Sequence, residues 1–163
     1  MIILSIGTNI GDRKQNIENA VKALDEIGKV ATISPIYSSE PWGFESENGF
    51  YNIALILETS LSPLELLKET QRIEKELGRT TKTTTAYADR MIDIDIIDYN
   101  NQIINTQTLT LPHSLMHKRN FVLYPLTDIA PEWQHPTLKL TALELKKEAK
   151  DTSTIHILKT TTD

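Results

Sequence analysis

At 163 residues and without cysteine, the chain predicts one domain over 1–163 with a real apolar core, and excludes disulfides, thiolate metal sites and a cysteine nucleophile. A net charge of −5 argues against a nucleic-acid partner gripped by broad electrostatics, so a polyanionic ligand must meet a local cluster of cations or a metal. No apolar run approaches the ~20 residues of a membrane span, and the opening Met1-Ile-Ile-Leu-Ser-Ile carries no basic leader, so a cytoplasmic protein is expected.

Ile2 to Ile6 is expected as a buried strand and Gly7 to Gly11 as a turn. Asp12, with Gln15 three residues on, predicts a capped helix start. Ile17, Ala20, Val21, Leu24 and Ile27 fall on one helical face, and Gly28 stands where a left-handed cap belongs. The turn matches no phosphate loop: it has two glycines and no Gly-Lys-Ser/Thr, so it reads as structural. Val30 to Tyr37 predicts a second strand, pushed by Pro35 toward an edge or a bulge. Ser38 to Gly49 is a polar loop carrying Pro41, Trp42, Gly43 and Phe44, read either as a binding wall or as a plug at the core edge.

Phe50 to Glu58 is a third strand, with Phe50, Asn52 and Ala54 on one face and Tyr51, Ile53 and Leu55 on the other. A ring beside an amide suits a flat polar heterocycle, although such a pair also ends many strands. Ser62-Pro63-Leu64-Glu65 is a complete helix start, and Leu66, Leu67, Thr70, Ile73 and Leu77 form the apolar stripe up to Gly78. Gln71 and Glu74 lie beside that stripe on a common side. Arg79 to Asp89 has no apolar period; with Arg79, Lys82 and Arg90 it reads as a cationic phosphate lid or as a surface connector.

From Met91 the chain alternates again. Ile92, Ile94 and Ile96 take one face; Asp93 and Asp95 take the other, about 6–7 Å apart. Two carboxylates this close repel, and Asp is a poor strand former. Hard divalent ions relieve such a pair, because Mg²⁺ binds one or two carboxylates plus substrate phosphates. The alternative is a sheet whose second face is simply wet. Asn100-Asn101 predicts a two-residue hairpin turn with Gln102 to Asn105 returning, and Leu109 to Leu111 a short strand stopped by Pro112. The segment to Ile129 predicts helix interrupted at Pro125, Thr141 to Glu144 caps a last helix, and Ile155 to Leu158 is a possible edge strand. Mixed helices and hairpins without a βαβ train favour an α+β fold. Metal, cations and a lid together form the toolkit of phosphoryl transfer.

The blocks Ile6-Gly-Thr-Asn9, Phe50-Tyr-Asn52, Gln71-Arg-Ile-Glu74, Gly78-Arg79, Arg90-Met-Ile-Asp-Ile-Asp95, Leu111-Pro-His113 and Arg119-Asn-Phe121 resemble, in order, the 6-hydroxymethyl-7,8-dihydropterin pyrophosphokinases. The resemblance implies a ferredoxin-like antiparallel sheet with packed helices, in three αβα layers, and pyrophosphate transfer from ATP to the pterin in folate biosynthesis. It implies two Mg²⁺ ions on Asp93 and Asp95, with Arg79 and Arg90 binding phosphates; Lys82 would add charge there without a planar two-pronged contact. Ser39, Trp42, Gly43, Phe50, Asn52 and Phe121 would form the pterin pocket. Gln71, Glu74, Ile96, His113 and Arg119 would hold ATP, with Arg79 and Arg90. The expected partners are small molecules acting on a monomer, with no nucleic acid and no membrane. The chain departs from the family pattern at Thr81, Lys82 and Tyr87-Ala-Asp-Arg90, where the family commonly carries a second arginine and Trp-Gly-Pro-Arg. The rival readings are a metal-dependent nucleotidyl transferase, which would release pyrophosphate rather than AMP, and a binding domain without chemistry, whose ATP affinity would not respond to Mg²⁺.

Overall fold

Apolar residues in six chain segments assemble the central sheet. The computed structural model describes residues 1–39, 49–78 and 91–158. The strands are β1 (Ile2–Thr8), β2 (Lys29–Ile33), β3 (Tyr37–Ser39), β4 (Phe50–Glu58), β5 (Asp93–Tyr99), β6 (Ile104–Asn105), β7 (Thr110–Leu111) and β8 (Ile155–Ile157). The helices are α1 (Arg13–Ile27), α2 (Pro63–Glu76), α3 (Asn120–Ile129) and α4 (Ala142–Glu148), with a 3₁₀ turn at Met116–Lys118. The main sheet is antiparallel and six-stranded, ordered β5-β1-β4-β3-β8, with β2 also on β4. The chain order β1-α1-β2/β3-β4-α2-β5 folded into that sheet is the expected ferredoxin-like α+β arrangement.

Two cores lie on opposite faces. Ile2, Leu4, Ile6, Ile53, Leu55, Ile94 and Ile96 pack with Ile17, Leu24, Leu66 and Ile73 of α1 and α2. Ile3 and Ile97 pack instead with Val122, Leu123 and Leu126 of α3 and Leu145 of α4. Helices on both faces make the three αβα layers. Each buried aliphatic side chain is worth about 1.5–3 kcal/mol, so both interfaces hold the sheet firmly.

Local signals act as read at several points. Ser62 and Glu65 close a reciprocal capping box on α2, and Thr141 and Glu144 close one on α4. Asn100 and Asn101 adopt positive φ, and Asp98 accepts the Asn101 N–H at 3.0 Å. Other expectations need correction. The chain returning from that turn does not pair with β5; β6 pairs with β7 in a separate two-stranded sheet. The expected second strand splits at Pro35 into β2 and β3, and Ser38 and Ser39 belong to β3, where they pair with Tyr51 and Phe50. Asp12 accepts the Gln15 N–H, but the Gln15 side chain turns to Asn19 instead of closing the box. Gly28 is extended rather than left-handed; a Cβ there would sit 2.4 Å from the Glu58 carbonyl oxygen, so close approach demands the glycine. Pro125 lies inside α3 without ending it, and it is buried.

Candidate active site

The register of β5, β1 and β4 draws the site. Asp93 lies opposite Gly7, which lies opposite Asn52, which in turn faces Tyr37 on β3. One step along, Asp95 pairs with Ser5, and Ser5 with Ala54. These residues occupy the α3 face of the sheet, because their neighbours Ile6, Ile53 and Ile94 fill the core on the other. Ser5, Gly7 and Ala54 have little or no side chain, so the floor between the carboxylates and Asn52 is bare backbone. Two strand spacings, about 10 Å, separate β5 from β4.

On the β4 side, Asn52 is buried and its amide donates to Ser39 Oγ at 3.1 Å. Phe50 lies two residues before it on the same face. Gly7 has no room for a side chain: a Cβ would stand 2.7 Å from Asn52 Oδ1 and 3.7 Å from the Phe50 ring. The chain ahead of Phe50 is pinned by Arg13, whose Nη1 donates to the Gly49 carbonyl at 2.8 Å while its guanidinium lies 4.1 Å from the Tyr51 ring centroid. Arg13 escaped the sequence reading; the only signal was a pair of cations, Arg13 and Lys14, in the first turn of α1.

On the β5 side, the backbone N–H of His113 donates to the Ile97 carbonyl at 2.9 Å, which seats the imidazole beside the carboxylates. Its Nδ1 accepts the Leu115 N–H at 3.2 Å, leaving the proton on Nε2, which lies 3.9 Å from Asp95 Oδ2. Burial lowers the His113 pKa, Arg119 pushes it further down, and Asp93 partly offsets both. His113 is therefore a neutral N–H donor at neutral pH.

Arg119 and Phe121 come from the start of α3, which lies over β3 and β4. Tyr37 fixes that packing by donating its hydroxyl to Asp128 and meeting Tyr124 edge-on at 6.1 Å. Burial and Asp128 hold the Tyr37 hydroxyl in its protonated form. The first turn of α3 is tied down by Asp151, which accepts from Asn120 N at 2.8 Å and from Asn120 Nδ2 at 2.9 Å. Arg119 then lies over the Phe121 ring at 5.6 Å.

Of the residues expected to hold nucleotide, Gln71 is exposed on α2. Ile96 points into the α1/α2 core. Glu74 is buried, and its Oε2 accepts the backbone N–H of Ile94 at 2.7 Å. Trp42, Gly43, Arg79, Lys82 and Arg90, and the lid expected over 79–89, lie outside the described residues. Among the described residues, no group of three or more His, Asp or Glu is placed to hold a metal ion, and no helix is long and apolar enough to cross a membrane. Asp93 and Asp95, two carboxylates on one face, offer part of a shell to a hard ion such as Mg²⁺, which also takes phosphate oxygens.

A ferredoxin-like α+β scaffold carrying paired carboxylates, a neutral imidazole, an arginine over an aromatic ring and a buried amide fits an ATP-dependent transferase. The comparisons agree. The family model for 7,8-dihydro-6-hydroxymethylpterin-pyrophosphokinase matches residues 3–131. The 2-amino-4-hydroxy-6-hydroxymethyldihydropteridine pyrophosphokinase of Aquifex aeolicus is 40% identical over 147 residues, covering 90% of this chain and 91% of its own length. The protein of that name from Porphyromonas gingivalis is 43% identical over 139 residues, covering 83% of this chain and 94% of its own. The folic acid synthesis protein FOL1 of Dictyostelium discoideum is 42% identical over 156 residues, or 96% of this chain, which spans only 23% of that protein. Among solved structures, a Plasmodium falciparum HPPK-DHPS with pteroate superposes with a TM-score of 0.72 at 18% identity, over 90% of this chain and 42% of that one. This chain belongs to the 7,8-dihydro-6-hydroxymethylpterin-pyrophosphokinase family.

Proposed function

We infer that the face bounded by Asp93 and Asp95 on one side and Asn52 and Phe50 on the other is where the family reaction runs. The chain transfers pyrophosphate from ATP to 6-hydroxymethyl-7,8-dihydropterin, giving the pterin diphosphate and AMP, in folate biosynthesis. One observation carries the placement: the β5–β1–β4 register sets the carboxylates and the amide on one face, separated only by Gly7 and Ser5. That gap of about 10 Å suits a pterin lying at one end and a triphosphate arriving at the other.

Each residue then has a task. Asn52, held by Ser39, reads the polar edge of the pterin, and Phe50 and Phe121 offer ring faces to it, with Ser39, Trp42 and Gly43 completing the pocket. Asp93 and Asp95 would hold two Mg²⁺ ions, which when bound would neutralise phosphate charge and make the phosphorus a better electrophile. Neutral His113 donates from Nε2, and Arg119 meets phosphate oxygens with a planar fork. Gln71 and the backbone at Ile96 lie toward the nucleotide, and Arg79, Lys82 and Arg90 supply the remaining positive charge. The hydroxymethyl oxygen attacks the β-phosphorus and AMP departs; positioning and charge neutralisation supply most of the rate. We read the enzyme as a monomer working as one domain over 1–163 on small-molecule substrates, without nucleic acid or membrane. A cysteine-free composition accords with a cytoplasmic setting.

The test is incubation with ATP, Mg²⁺ and 6-hydroxymethyl-7,8-dihydropterin, with nucleotide products separated. AMP in equal amount to pterin diphosphate is expected; ADP would overturn the reaction. Asp95→Asn is expected to lower kcat by at least about 100-fold, and full activity in that variant would remove the pair from the site.

A further inference from the structure

We propose that Glu74 is a positioning residue that holds the peptide between Asp93 and Asp95, rather than a ligand of the nucleotide. The proposal rests on the assignment of those two carboxylates to the metal. β5 stands at the end of the strand order, so among the described residues no strand of the sheet lies beyond its outer edge. In an antiparallel pair, alternate residues turn their N–H and C=O outward. Ile94 sits between Asp93 and Asp95 in register with Ile6. Its N–H reaches Glu74 Oε2 at 2.7 Å, so this peptide is one that faces outward.

Glu74 reaches that edge from the opposite side of the sheet to the two aspartates. It follows Ile73, which is fully buried in the α1/α2 core, and is itself only 4% exposed. An Asp or Glu this buried needs a specific reason. Here its Oε2 takes the N–H of Ile94, the residue flanked by both metal-holding side chains, and so satisfies an amide at the sheet edge. α2 thereby sets the height of the 93–95 segment against the sheet. Two carboxylates that must share ions with a triphosphate gain most from being fixed beforehand, since a site held loosely by ~1 Å loses much of its rate.

The experiment compares Glu74→Gln, Glu74→Asp and Glu74→Ala in the full chain. Gln keeps an acceptor oxygen at the same reach but loses the charge; Asp keeps the charge but falls a methylene short. The expected result is that Gln stays within about threefold of the parent in kcat and in the Mg²⁺ concentration for half-activation. Ala and Asp are expected to raise that Mg²⁺ concentration about tenfold and to lower kcat, with KM for the pterin changed less than about twofold. The Ile94 amide resonance should move and exchange faster in Ala and Asp but not in Gln. If Gln falls as far as Ala, the charge and not the reach of the acceptor is what matters, and the proposal is wrong. If Asp and Ala leave the Mg²⁺ response unchanged, it is also wrong. Should Ala fail to fold, the Gln and Asp pair still decides. Asp95→Asn, measured alongside, reports on the metal assignment by itself, because the Ile94 amide in that variant still reads the Glu74 contact.

Discussion

Gly7 carries no chemistry, yet the site depends on its emptiness. It stands between Asp93 and Asn52 in the sheet, and a methyl group there would come 2.7 Å from Asn52 Oδ1. Backbone and side chain cannot both yield, because Asn52 is buried and tied to Ser39. Gly7→Ala is therefore expected to displace the amide and cost about one hydrogen bond to the pterin, roughly 1 kcal/mol or a five- to tenfold rise in pterin KM. Affinity for an ATP analogue should hold. Equal loss for both substrates, measured by calorimetry, would mean that the sheet itself had been distorted. His113 makes a second residue-scale point: burial and Arg119 keep it neutral, so it serves as an N–H donor rather than as a cation.

Elements reach the site through their ends. The first turn of α3 carries Arg119 and Phe121, and no side chain of its own caps that helix. Asp151, 31 residues on, accepts the Asn120 N–H instead, which puts a negative charge at the positive end of the helix. Asp151→Ala should destabilise the fold by about 1–2 kcal/mol, within the range for losing a helix cap, and lower the urea midpoint accordingly. It should also raise pterin KM, because the turn that presents Phe121 loosens. A lower midpoint with unchanged KM would show that α3 is held well enough by Tyr37 and the second core.

Across the whole molecule, burial lowers the pKa of His113, His117 and His135 alike. At His135 burial acts first and His117 second, and its Nδ1 also accepts the N–H groups of both Thr137 and Leu138, bonds that protonation there would break. The folded chain then binds fewer protons than the unfolded one as pH falls toward and below the ordinary histidine value of about 6.5. The unfolded state gains protons first, so stability is full above that value and falls as pH drops through it. Urea midpoints at pH 7.5 and 5.5 should show this loss, and His135→Asn should flatten the slope; an unchanged slope would exclude His135 as a source.

What the residues alone determined was which side chains share a face. A period of two placed Asp93 and Asp95 opposite the isoleucines, and grouped Phe50 with Asn52, before any strand order was known. Capping boxes at Ser62 and Thr141 and the Asn100-Asn101 turn were legible for the same reason: their partners lie within a few residues. What only the tertiary structure decided was what lies across each face. Periodicity cannot say that β1 would separate β5 from β4, that α3 would cover that face, or that β6 would leave β5 for β7. Glu74 turned to the Ile94 peptide, and His113 came to rest beside Asp95, through contacts bridging roughly 20 residues of chain. Such contacts depend on how whole elements pack, a matter of the summed burial of both cores rather than of any local pattern.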